Sequence, residues 1–128
     1  MIYEYAATVV RVVDGDTVIF NLTKDFSLDI DFGFHVKDTV KLTKSAQIDF
    51  RLLGINAPEM RAPTLVEGKA AKVQLEKLLT LGTIRVVTSR TDKYGRWLAD
   101  IFVKGSDGVE LNISQKMIET GFAVAYMT

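Results

Sequence analysis

Apolar and polar positions alternate through most of this chain before they turn helical. Residues 3–13, YEYAATVVRVV, are rich in β-branched and aromatic side chains and predict a strand. Asp14-Gly15 then signals a tight turn, and a second strand runs Thr17 to Leu22. In FSLDIDFGFHV, Phe26, Leu28, Ile30, Phe32, Phe34 and Val36 fall on every second position, a period of two that predicts a half-buried strand. Gly33 permits a bulge or bend within it. DTVKLTKSAQIDFRLLGI predicts a further strand ending near Ile55. GTIRVVTS and WLADIFVKG predict two more, the second closing in a loop at KGSDG.

Two segments change period. From Leu65 to Leu81, Val66, Ala70, Val73, Leu78 and Leu81 recur at helical spacing, with Pro63 just upstream and Gly82 as the stop. A second helix begins near Asn112, where Gln115 three residues on resembles a capping box. Ile113, Met117 and Ile118 give it an apolar stripe, and Gly121 ends it. Strands dominate, so the expected fold class is mainly β with helices, an all-β barrel of small size with two helices added. Closure of the sheet is the natural solution to unpaired edges. The chain shows no repeat, low-complexity tract or linker, and 128 residues suit a single domain over 1–128.

Composition removes several chemistries. There is no cysteine, so a disulfide scaffold and a thiolate metal site are both excluded. His35 is the single histidine, which excludes zinc sites built on several imidazoles. Sixteen basic residues balance sixteen acidic ones, without the basic excess usual in a dedicated nucleic-acid binder. Charge is nonetheless local: Arg85, Arg90, Lys93, Arg96 and Lys104 outnumber Asp92 and Asp100 between residues 85 and 104. The start MIYEYAATVV lacks a basic n-region and an apolar h-region, and no stretch reaches the ~20 apolar residues of a membrane span. A soluble, cytoplasmic protein is the expectation.

Three short stretches concentrate polar residues between apolar strands. In DGDT, Asp14 and Gly15 suit a turn, and Asp16 either points inward at a barrel mouth or is simply solvated. In RLLGINAPE, Arg51 is either a surface arginine or a guanidinium fork aimed at an anion such as phosphate. Gly54 lets the strand bend, and Pro58 holds Ala57 extended. A loop this rigid can fix the Asn56 amide oxygen, the Ala57 carbonyl and the Glu59 carboxylate, oxygen ligands that suit a hard cation. Glu59 serves equally well as an acid leading into a helix. In TDKYGR, Tyr94 either stacks on a base or covers the rim, and Arg96 either faces a phosphate or pairs with Asp92.

Taken in order, VVDGDTV, FRLLGINAPE, TDKYGRWLA and LN…MIETGFA resemble the staphylococcal nuclease (thermonuclease) family over roughly residues 6–125. The resemblance implies an OB-like five-stranded barrel, and hydrolysis of DNA and RNA phosphodiesters by water with one Ca²⁺, releasing the 5′ oxygen. It implies Asp16 as a carboxylate metal ligand and the Ala57 carbonyl as another. It implies Arg51 and Arg96 on the scissile phosphate, with Glu59 beside the attacking water. Lys93 and Tyr94 match a nucleotide-contacting turn, and Tyr126 a tyrosine lining the base pocket, one residue out of spacing after Gly121. These types make chemical sense, because a cation and two arginines are preorganised positive charge aimed at an equatorial oxygen that gains negative charge.

The chain also departs from that pattern. Asn56 stands where the best-known member has a second metal-ligating aspartate, and a neutral amide should weaken the metal by about 1–3 kcal/mol. Residues 24–44 are longer than that member's equivalent and predict an extended hairpin beyond the barrel. Three functions follow. The first is a metal-dependent, sequence-nonspecific endonuclease, using Ca²⁺ or another divalent cation. The second is a catalytically inactive OB-like module that binds nucleic acid or protein. The third is a structural barrel forming a homodimer through the 26–36 strand.

Overall fold

The computed structural model describes residues 2–126. Its strands are β1 (Tyr3–Asp14), β2 (Thr17–Asp31), β3 (Lys37–Leu52), β4 (Ile55–Asn56), β5 (Thr83–Thr91), β6 (Trp97–Lys104), β7 (Glu110–Asn112) and β8 (Val124–Ala125). The helices are α1 (Leu65–Leu79) and α2 (Ile113–Glu119). Six strands form one sheet in the order β3-β2-β1-β5-β6-β7. Parallel pairing of β3 with β6, Phe50 opposite Trp97 to Leu52 opposite Ala99, closes the first five into a ring. This is an OB-like barrel with helices, mostly β, as expected. A small second sheet joins β4 to β8.

The core fills the ring. Val18, Phe20, Phe50, Leu52, Val86, Ile101 and Val103 point into it from the strands, and Leu75, Ile113 and Met117 close it from the helices. Asn112 caps α2 as expected, its side-chain oxygen accepting from the Gln115 N–H at 3.2 Å. Gly121 takes a positive φ of 82° where that helix stops.

Helix α1 differs from the expected stripe. Its buried residues are Gly68, Ala71, Leu75, Leu78 and Leu79, whereas Val66, Val73 and Leu81 are exposed. The helix also ends at Leu79, two residues earlier than the periodicity predicted. The reason is steric. Small residues face the barrel because backbone approaches there: a Cβ on Gly68 would lie 2.4 Å from the Glu59 carbonyl oxygen. Leu75, Leu78 and Leu79 share that face with Gly68 and Ala71, so the buried stripe is apolar as well as closely approached.

The 26–36 segment is not a strand of its own. β2 runs unbroken to Asp31, residues 32–36 make the turn, and β3 returns beside β2 from Lys37. Gly33 sits in that turn with φ 88°, its N–H bonded to the Asp31 carboxylate at 2.8 Å. The extended hairpin is therefore present. Its apolar positions are not half-buried, however: Phe26, Leu28, Ile30, Phe32, Phe34 and Val36 are 39–70% exposed. Alternation reports which residues share a face, and among the described residues no helix or third strand covers this one beyond the barrel.

Candidate active site

The site begins at the β1–β2 turn. Asp14 pairs with Thr17 across it, and the Asp14 carboxylate accepts the Asp16 N–H at 3.1 Å. Gly15 has no positive φ; it is glycine for want of space. An added Cβ would lie 2.7 Å from the Cβ atoms of both Ala57 and Ala71. The turn is thus wedged between the 57–60 loop and α1. The Asp16 carbonyl in turn holds the end of β3 by accepting the Leu52 N–H at 2.8 Å.

This wedge buries Asp16, which is only 8% exposed. One carboxylate oxygen accepts the Ala57 N–H at 2.9 Å, and the other accepts the Thr17 hydroxyl at 3.2 Å. The Arg51 guanidinium lies 3.7 Å away. Burial, followed by the adjoining Asp14 carboxyl, pushes Asp16 up to about 6, against the pull of the Ala57 N–H and Arg51. The Asp14 carboxyl thus acts on the Asp16 carboxyl as well as closing the turn. The signal was visible as two carboxylates one glycine apart, but both were compatible with a bare hairpin.

Arg51 is almost fully buried. Gly54, at φ 83°, reverses the chain after β3 and brings 55–57 back over the arginine. The same Arg51 nitrogen donates to the Asn56 side-chain oxygen at 2.7 Å and the Ile55 carbonyl at 3.2 Å. The Tyr126 ring stacks against the guanidinium at 5.3 Å. β4–β8 pairing and the Tyr126 N–H on the Gly54 carbonyl, 2.8 Å, hold that ring in place. Asp16, Arg51, Asn56, Ala57 and Tyr126, spread over 110 positions of sequence, thus meet at one end of the barrel.

Glu59 and Arg96 stand apart from this cluster. Glu59 is exposed, and its carboxylate takes the Arg61 guanidinium at 2.7 Å. Arg96 leaves the β5–β6 turn and donates its Nε to Asp92 at 2.8 Å. The Asp92 carboxylate also collects the Tyr94 and Arg96 N–H groups. Burial raises the Asp92 pKa, but those N–H groups and the guanidinium outweigh it and hold the carboxyl below its ordinary value. Tyr94, 72% exposed, has Lys93 Nζ at 5.2 Å and Arg96 Cζ at 5.6 Å from its ring. Neither Glu59 nor Arg96 bonds to Asp16 or Arg51 among the described residues.

The oxygen donors here fit a hard cation. Asp16 and Asp14 offer carboxylates, Asn56 an amide oxygen and Ala57 a carbonyl, all without sulfur or imidazole. No group of three or more acidic, histidine or cysteine side chains gathers among the described residues. A cation would therefore depend on the Asp14–Asp16 pair and neutral oxygens. The two adjoining carboxyls have the Arg51 guanidinium beside Asp16, and burial still holds that carboxyl above its ordinary value, a pair that a cation would relieve.

The chain is thus a closed OB-like barrel with a buried aspartate–arginine pair at one end. The model of the family described as staphylococcal nuclease homologue matches residues 49–128, and the chain belongs to that family. A protein of Methanocaldococcus jannaschii, described as uncharacterized protein MJ1439, is 30% identical over 129 aligned positions. That alignment covers 97% of this chain and 60% of the relative, so the chain spans under two thirds of the relative's length. The matched family span begins after Asp16 and the ribbon; the alignment with the relative takes in nearly the whole chain. Among the described residues no helix is long and apolar enough to cross a membrane.

Proposed function

We propose that residues 1–128 form one nuclease domain that hydrolyses DNA or RNA phosphodiesters without sequence specificity, using Ca²⁺ or another divalent cation. The observation that carries this is the buried Asp16–Arg51 pair at 3.7 Å, with the Ala57 N–H on Asp16 and the Asn56 side-chain oxygen on Arg51. Burying two charges is costly, and a buried ion pair is weak evidence of a purely stabilising role. It is a reasonable arrangement for holding a cation and a phosphate side by side. Asp16, with Asp14, Asn56 and the Ala57 carbonyl, would hold the metal, which supplies a Lewis acid for the phosphate oxygen. Arg51, steadied by Tyr126, would donate to that phosphate in place of Asn56.

Glu59 and Arg96 must turn to take part. Glu59 is held by an exposed ion pair to Arg61, and Arg96 by Asp92, whose side chain is only 8% exposed. An exposed pair such as Glu59–Arg61 contributes about 0–1 kcal/mol and exchanges cheaply for water; release of Arg96 leaves the Asp92 carboxylate to the Tyr94 and Arg96 N–H groups. Glu59 would then orient the attacking water, and Arg96 would donate a hydrogen bond on the leaving side without giving up its proton. The exposed Tyr94, flanked by Lys93 and Arg96, offers a ring for a base and cations for its phosphates.

A second function draws on the same geometry. With Asn56 neutral and Glu59 and Arg96 engaged elsewhere, the barrel can serve as an inactive nucleic-acid- or protein-binding module. A homodimer through residues 26–36 concerns the ribbon and is compatible with both. Incubation with single-stranded DNA and RNA, with millimolar Ca²⁺ or Mg²⁺ and with chelator, separates the two functions. The nuclease requires metal-stimulated cleavage that falls sharply in Arg51→Ala and in Arg96→Ala, each confirmed folded by circular dichroism. Absence of cleavage under every metal, with binding retained, establishes the binding module instead.

A further inference from the structure

Beyond Thr23 the β2–β3 ribbon leaves the barrel, and its two faces differ. On one face Thr43 donates to Asp25 at 2.7 Å and Thr39 to Asp29 at 2.9 Å, so polar side chains satisfy each other across the strands. The other face carries four cross-strand rows: Lys24–Lys44, Phe26–Leu42, Leu28–Val40 and Ile30–Asp38. Phe32, Phe34 and Val36 continue its apolar character into the turn, all exposed. A two-stranded ribbon is barely stable alone in water, and a contiguous apolar patch of this kind marks an interface.

The charges on that face are placed unusually. Lys24 and Lys44 lie directly opposite each other, a destabilising like-charge pair, and neither has an ion pair among the described residues. At the far end Asp38 shares the apolar face with Ile30. At the barrel end the face opens into a cavity of about 620 Å³ lined by Tyr3, Tyr5, Leu22, Ile48, Phe50 and Trp97.

We propose that this face is covered by the same face of a second copy of the chain, the two ribbons running in opposite directions about a two-fold axis. Such an axis, lying across the strands midway between the Phe26 and Leu28 rows, sets β2 over β2 and β3 over β3. Lys44 then meets the partner's Asp38, and Asp38 meets the partner's Lys44. The Phe26–Leu42 row meets the partner's Leu28–Val40 row. The rows span about 20 Å at a strand rise of about 3.4 Å per residue, so the turn reaches past the partner's lysine row. Phe32 and Phe34 therefore come to the mouth of the partner's aromatic cavity. Parallel stacking is ruled out by charge, since it sets four lysines together and two aspartates together. An isologous contact of this kind closes as a dimer and does not propagate. The lysines and aromatic cavity would also suit a single-stranded nucleic acid, but the two aliphatic rows and Asp38 offer nothing to a phosphate.

Charge exchange tests the register, and it leaves the catalytic residues untouched, so its outcome is independent of nuclease activity. Analytical ultracentrifugation would compare the protein with Asp38→Lys, Lys44→Asp and the double variant, each confirmed folded by circular dichroism. The expected result is a dimer that both single variants weaken about tenfold or more and that the double variant restores. A monomer at all concentrations up to about 100 μM overturns the proposal, whether or not Lys44→Asp lowers single-stranded DNA binding. A double variant as dissociated as the single ones overturns the proposed register.

Discussion

Replacing Asp16 by asparagine should stabilise the metal-free protein, although Asp16 is buried and bonded on every side. The carboxyl ordinarily ionises near 3.8, and in the fold its pKa rises to about 6. At about 1.4 kcal/mol per pH unit, the folded state carries a charge that costs about 3 kcal/mol at neutral pH. The sign follows from proton binding. Between 3.8 and about 6 the native state holds a proton that the unfolded chain has released. The contribution of Asp16 is therefore fully present below 3.8 and is lost as pH rises through about 6. Asparagine keeps an oxygen for the Ala57 N–H and never ionises, and the attraction of Arg51 is already counted in the raised pKa. The net gain for Asp16→Asn at pH 7 is about 1–3 kcal/mol, shrinking toward zero below pH 4. Urea denaturation in chelator at the two pH values measures it. A variant less stable than the parent at pH 7, or a difference independent of pH, refutes the argument that this carboxylate is held under electrostatic stress. Added Ca²⁺ should reverse the order, because binding stabilises only the chain that keeps the ligand.

Other outcomes follow from the same geometry. Gly15→Ala should destabilise the fold by about 1–3 kcal/mol in thermal or urea melts, because its Cβ would strike Ala57 and Ala71 at 2.7 Å. An unchanged midpoint would show that the turn can move off α1 freely. Asn56→Asp should tighten Ca²⁺ binding measured by calorimetry, about tenfold, by returning a charge to the donor set; unchanged affinity means that Asn56 is not a ligand. Tyr94→Ala should weaken single-stranded DNA binding by about 1–3 kcal/mol in a fluorescence titration, since its ring is exposed and flanked by two cations. Equal affinity removes the 92–96 turn from the binding surface.

Local rules written in the chain account for a good part of this structure. The turn at Asp14-Gly15, the cap at Asn112, the stop at Gly121 and the bend at Gly54 depend on a few adjacent residues, and all are read directly. Strand dominance pointed to a closed barrel, and the resemblance made it OB-like and five-stranded. Less local features were harder. The buried face of α1 is not the expected one: it runs from Leu75, Leu78 and Leu79 through Ala71 to Gly68, where a missing side chain lets the Glu59 backbone approach. Short strands such as Ile55–Asn56 and Val124–Ala125 carry no periodicity at all, being defined only by each other.

What the sequence determined by itself is therefore the set of groups: an aspartate pair, two arginines, a neutral Asn56, and an amphipathic 24–44 segment. Burial and partnership were decided by tertiary structure. Closure of β3 on β6 and the wedge of the turn against α1 bury Asp16 beside Arg51, while Glu59 and Arg96 are left on the surface with Arg61 and Asp92. The same folding leaves an apolar ribbon face uncovered where alternation predicted a half-buried strand. The physical reason is common to both. Residue type and spacing specify which side chains share a face, but solvation depends on what the rest of the chain brings against that face.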